Sequence, residues 1–285
     1  MPKAILPWKL KQFQQSTGTD YNSLLGEPGS NAKTNKNLAP TFTHNLSPAD
    51  TSGVINVCPG AGNCKKTCLH WAGNPAYMKG KQAKRIRQTI AFSRDQNSYL
   101  EMLSVAIVRA LTKFEGRQIA IRLNTTSDVK WEDLEFNLSP DVSDFILTKF
   151  GRYLCAGRYE SILHLFQDFN IKFYDYSKIF RNWQRCRDLN YHLTASFDGH
   201  SNTKNHKICV DAINSGVNVA AAFNIKKSQP LPERINLLGF SLPVLDGDIS
   251  DSRFDDASGG CLIGLRFKQP RSTKYSQEDV ASFCI

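Results

Sequence analysis

Residues 56–73 read NVCPGAGNCKKTCLHWAG and place Cys58, Cys64 and Cys68 in a C-x5-C-x3-C spacing. Thiols this crowded admit a disulfide staple, a zinc site, an iron–sulfur cluster, or an accident of composition. A chain of 285 residues can bury a core without covalent staples, and stable disulfides are uncommon in a reducing cytosol. Cys155, Cys186, Cys209, Cys261 and Cys284 stand far apart, mostly in apolar segments where a lone thiol packs as a small core residue. Zinc takes four Cys or His ligands, usually as two close pairs; no second pair follows here, and His70 is the candidate fourth ligand. For a 4Fe–4S cluster, three thiolates hold three corners and leave the fourth iron open to a small molecule. Pro59, Gly60 and Gly62 suit a backbone wrapped closely around such a cluster, and Lys65 and Lys66 would offset its negative charge.

The elements that must position this loop alternate in type. Residues 53–58 (GVINVC) read as a short strand, and 76–116 as two helices stopped at Gly116. Strands follow at 117–124, 171–177, 191–197 and 217–223. Helices are expected at 159–169, 182–189 and 205–216, and the apolar runs 242–248 and 261–268 complete the series. Strands alternating with helices predict parallel βαβ units. The expected fold is α/β, a partial or complete (β/α) barrel-like parallel sheet, with a doubly wound sheet as the other solution. Residues 1–40, rich in Ser, Thr, Asn, Gly and Pro, read as an irregular N-terminal extension, and 41–285 as a single domain.

Polar clusters follow the strands: the cysteine loop, Asn124 to Asp128, Asp175 to Lys178, Ser196 to Gly199, Asn224 to Lys227, and Asp246 to Asp248. The C-terminal ends of parallel strands share one side of the sheet, so these clusters should converge on one mouth. A three-cysteine loop after the first strand of such a fold resembles the radical S-adenosylmethionine enzymes, whose common spacing, C-x3-C-x2-C, differs from this one. The resemblance implies that Cys58, Cys64 and Cys68 ligate the cluster and that Thr126, Ser127 and Asp128, with Asn124, form the turn holding S-adenosylmethionine. Ser196 and Asp198 would meet its ribose hydroxyls. Tyr174, Asp175, Tyr176 and Lys178 would contact substrate or relay protons, and an electron donor would reduce the cluster. Asp246, Asp248, Asp251 and Arg253 read either as a rim ion-pair network or as a loop cap.

Taken in order, CPGAGNCKKTCLHWAGN, IRLNTTSDVKWE, KFYDYSK, YHLTASFDG, NVAAAF and LDGDISDSRFDD resemble a family of bacteriophage and plasmid proteins related to the phage "gene product eighty-eight" group. The resemblance spans roughly residues 31–268 and implies a phage or mobile-element origin, without an activity to carry over.

The net charge of +10, from 36 Lys and Arg against 26 Asp and Glu, favours anionic partners and makes nucleic acid the alternative reading. The densest basic run contains Lys79, Lys81, Lys84, Arg85 and Arg87, which would otherwise form a solvated helix face. Trp71, Tyr77, Trp131 and Trp183 could stack on bases or simply pack in the core. No apolar run approaches the roughly 20 residues of a membrane span, and MPKAILPWKLKQFQQ lacks the pattern of a signal peptide. The expected compartment is the cytosol, the host's if the chain is phage-encoded, with no membrane partner.

Overall fold

The computed structural model describes residues 4–29, 36–68, 78–257, 259–269 and 275–285. In chain order, α1 (Trp8–Thr17), α2 (Tyr21–Leu24) and the short β1 (Leu25–Gly26) precede β2 (Thr41–His44). After the cysteine loop come α3 (Lys79–Arg94), α4 (Gln96–Lys113), β3 (Ile119–Arg122), β4 (Phe136–Leu138), α5 (Pro140–Phe150) and β5 (Gly157–Tyr159). Next are α6 (Ile162–Leu165), β6 (Ile171–Ser177), α7 (Trp183–Asp188), β7 (Tyr191–Ser196), α8 (Thr203–Asn214) and β8 (Val219–Phe223). The chain closes with β9 (Arg234–Leu237), β10 (Phe240–Asp246), β11 (Leu262–Arg266) and α9 (Gln277–Phe283).

Nine strands form one sheet in the order β1-β2-β3-β6-β7-β8-β11-β10-β9, and β4 and β5 pair separately. The seven strands from β2 through β10 in that order are mutually parallel, while β1 and β9 are antiparallel edges. The fold is therefore mixed α/β around a large, mostly parallel sheet. Among the described residues no ladder joins the two edge strands.

Alternation along the strands divides the molecule into layers. Ile119, Ile121, Phe173 and Tyr191 pack in one apolar cluster with Leu100, Leu103 and Ile107 of α4. Ala195, Phe197, Val219, Ala221 and Leu262 pack in a second with Trp183 of α7 and Ile208, Cys209 and Ala212 of α8. The alternate residues Arg122, Tyr174 and Tyr176 instead meet the segment after β10. Arg122 lies over both tyrosine rings and pairs with Asp251, and Phe254 packs edge-on against Tyr174.

Several local expectations need correction. Residues 53–58 form no strand: Gly53 takes φ 77°, Val54 is 53% exposed, and the Asn56 side chain turns back to accept the Cys58 N–H. The first parallel strand is β2, whose four residues are all buried. Residues 8–17 are helical rather than irregular, because burial of Leu10 and Phe13 holds α1 on the protein. The helix expected over 159–169 shrinks to α6, since Tyr159 is recruited to β5 and Ser161 caps the single turn.

A candidate thiol centre at the strand ends

The cysteine loop is fastened to the C-terminal ends of three parallel strands. After β3, the Asp128 N–H donates to Val57 O at 2.7 Å, and Cys58 Sγ lies 3.6 Å from Thr126 O. Cys58 Sγ also accepts the Ala49 N–H at 3.3 Å. After β7, the fully buried Asp198 accepts the N–H groups of Asn63 and Cys64 at 2.8 and 2.9 Å and the Asn202 amide at 2.7 Å. Gly62 is required there, because a Cβ would stand 2.4 Å from Asp198 Oδ2. Its role is to let the loop settle on the strand end. Lys65 and Lys66 face outward to Asp50 and Asp279, at 2.8 and 2.7 Å, so their charges are already matched.

Between those anchors runs a continuous polar chain. Asp128 accepts from Ser177 Oγ at 2.9 Å and from the Lys178 N–H at 2.6 Å. Lys178 Nζ donates to Ser196 Oγ at 2.8 Å and pairs with Asp198 Oδ1 at 3.5 Å. The structure thus brings together Cys58, Thr126, Asp128, Lys178, Ser196, Asp198 and Cys64. Asn124 and Ser127 are committed to the turn itself: Asn124 Oδ1 accepts from Ser127 Oγ at 2.8 Å, the Val129 N–H at 3.0 Å and Trp131 Nε1 at 3.0 Å. Thr126 Oγ1 donates to Leu46 O at 2.6 Å.

Tyr174, Asp175 and Tyr176 separate from Lys178. Asp175 is fully buried, and its Oδ2 accepts the Leu123 and Asn124 N–H groups at 2.9 Å and Tyr191 OH at 3.0 Å. Burial pushes its carboxyl up to about 7, opposed first by the Arg122 guanidinium at 3.6 Å. Tyr174 OH donates to Asp251 at 3.2 Å, and burial raises the phenols of both Tyr174 and Tyr176. Asp251 and Arg253 are nearly fully buried: Arg122 Nη1 meets Asp251 at 2.9 Å, and Arg253 pairs with Asp256 at 3.2 Å. Asp246 and Asp248 pair instead with Arg266, at 2.9 and 3.3 Å.

Sequence reasoning missed Arg181, a buried cation beneath the mouth. Its buried guanidinium binds both oxygens of Glu132 at 2.8 Å and Asp128 at 2.6 Å, and Nε donates to Ser177 at 2.9 Å. The available signal was its place four residues beyond Ser177 in the segment that follows β6.

As thiol donors, the cysteines suit a thiophilic centre. Burial pushes the Cys58 and Cys64 thiols up to about 12, and neighbouring thiolates add to the shift, Cys68 at both and Cys58 at Cys64. Lys178 is the cation that opposes this at Cys64. Among the described residues no group of three His, Cys, Asp or Glu side chains is assembled to hold a metal ion. His70, Trp71 and Tyr77 lie outside the described residues. Trp131 and Trp183 are core residues, at 0% and 4% exposure, and are not available for stacking on a ligand. No described helix is long and apolar enough to cross a membrane.

The profile of the family described as Gene product 88 matches residues 8–285. No curated protein and no solved structure matches the chain.

Proposed function

As the chain belongs to the Gene product 88 family of phage gene products, we propose that it is an iron–sulfur protein of phage or mobile-element origin working in the host cytosol. Cys58, Cys64 and Cys68 would hold a 4Fe–4S cluster in a radical S-adenosylmethionine-like, partial-barrel arrangement. One observation carries this reading: an unbroken hydrogen-bond and ion-pair chain ties the thiol loop to the ends of β3, β6 and β7 through Asp128, Lys178 and Asp198. Such a centre, when bound with S-adenosylmethionine, supplies one-electron cleavage of the sulfonium.

The chain's own contribution is placement and charge. Asp198 fixes the backbone at Cys64, while Asp128 fixes the backbone at Lys178. Lys178 sets a positive charge beside the Cys64 thiol, favouring its thiolate form. Ser196, partly exposed at the same mouth, would orient a ligand hydroxyl there, while both oxygens of the buried Asp198 are already engaged in holding the loop.

Anaerobic reconstitution followed by iron, sulfide and zinc analysis tests the centre. The expected protein is brown, absorbs visible light, and loses iron and sulfide together in Cys64→Ala. Stoichiometric zinc without sulfide would replace the cluster with a structural metal. A reducible cluster that never releases 5′-deoxyadenosine from S-adenosylmethionine would remove the radical chemistry while leaving the cluster standing.

A further inference from the structure

We propose that α3 and Trp8 form a binding track for single-stranded nucleic acid, with phosphates along the helix and a base stacked on the indole. The sixteen residues of α3 include Lys79, Lys81, Lys84, Arg85, Arg87 and Arg94 and no acid. Lys79, Ala83, Arg87, Ile90 and Arg94 are exposed and recur at helical spacing, so they line one face. At about 1.5 Å per residue that stripe is about 22 Å long. Among the described residues no carboxylate lies within ion-pair distance of Lys79, Lys81, Arg87 or Arg94. Lys84 has its pKa lowered by burial and then by the like charges of Arg85, Arg87 and Lys81. Crowding uncompensated cations is unfavourable unless an anion covers them.

At the far end of the stripe, Trp8 is 72% exposed and lines a cavity of about 730 Å³ with Lys9, Gln12, Phe13, Arg94 and Asp95. Asp95 is engaged as the cap of α4, taking the Ser98 N–H at 3.0 Å, and Lys9 approaches Glu101 at 3.6 Å. An exposed indole beside cations at the end of a basic stripe suits a linear polyanion that carries flat aromatic groups. That is the chemistry of a nucleic acid strand. The track is separate from the thiol centre and does not depend on it.

Fluorescence anisotropy with labelled oligo-dT and oligo-rU of about twelve nucleotides tests the proposal, across salt from about 50 to about 200 mM. For Lys79→Gln/Arg87→Gln/Arg94→Gln, the slope of log K against log salt should fall by about 2, at about 0.7 per phosphate contact. Trp8→Ala should weaken binding about tenfold at an unchanged slope. The Cys58→Ala/Cys64→Ala/Cys68→Ala protein should bind as the parent does. The preferred sugar separates RNA from DNA. Absence of binding at low salt, indifference to both sets of substitutions, equal affinity for duplex, or retention on anionic vesicles but not on oligonucleotide would each overturn the track.

Discussion

Asp198 and Cys64 are joined through backbone and side chain: the buried carboxylate takes the Cys64 N–H at 2.9 Å and, through its other oxygen, the Asn63 N–H at 2.8 Å. Asp198→Ala would leave both N–H groups without an acceptor and strip Lys178 of its acid. The expected loss is about 2–3 kcal/mol of stability, measured by urea denaturation. Cys64 should also alkylate severalfold faster, read by timed labelling and mass mapping. Unchanged labelling of a folded variant would show that other contacts suffice to hold the loop.

Beneath the mouth, Arg181 neutralises Glu132 and Asp128 with almost no exposure to water. Arg181→Met should cost about 3–5 kcal/mol, because two buried carboxylates lose their cation. The double variant Arg181→Met/Glu132→Gln should recover part of that loss, since one stranded charge is removed. A double-mutant cycle by urea denaturation checks this, and simple additivity of the two substitutions would contradict direct coupling.

The parallel strands were legible where the pattern was purely local. IKFYDYS and YHLTAS become β6 and β7 because alternate residues meet the helix layer and the opposite polar layer. Residues 53–58 misled because Val54, Ile55 and Val57 imitate a strand, while Gly53 and the Asn56 turn remove the backbone from a ladder. The convergence of Cys58, Asp128, Lys178 and Asp198 was readable from strand-end logic. The parting of Tyr176 from Lys178 was not: strand alternation would put the two on one face, but β6 ends at Ser177 and Lys178 already belongs to the loop that follows. Arg122 and Asp251 stand 129 positions apart in the chain, and only the tertiary fold brings them together.

Gly199 governs how the last helix sits on the thiol loop. Its φ is 84°, and a Cβ there would fall 1.6 Å from Ser282 O, the carbonyl that also accepts the Asn63 side-chain amide at 2.9 Å. Gly199→Ala should therefore dislodge α9, raising hydrogen exchange at the Cys284 and Ile285 amides that bond to Val280 O and Ala222 O. Gly53→Ala is the matched control: φ is 77° and nothing lies within 4 Å of the added carbon. Both variants carry roughly 1 kcal/mol of backbone strain. Only Gly199→Ala should lower protection at the C-terminal residues; equal effects would mean strain alone is responsible.

His44 gives the fold an acid-sensitive joint. Leu123 O, 2.9 Å from Nδ1, is an acceptor, so Nδ1 carries the proton and Nε2 accepts from Tyr99 OH at 2.7 Å. Burial lowers the imidazole pKa to about 4, with the Lys84 charge adding to the shift. Between that value and the ordinary one near 6.5, the unfolded chain binds more protons. The stability held by neutral His44 is therefore complete above about 6.5 and falls as pH drops toward about 4, by on the order of 3 kcal/mol. Asp175 acts with the opposite sign: its pKa is raised from 3.8 to about 7, so its stabilising share is complete below 3.8 and lost as pH rises through about 7. The two partly cancel in the parent protein, and the parent profile alone is not diagnostic. The difference between parent and His44→Gln denaturation free energies should shrink steadily from pH 7 to pH 4, because only the parent loses the histidine contribution on acidification. A difference that stays constant with pH would show that His44 titrates alike in both states.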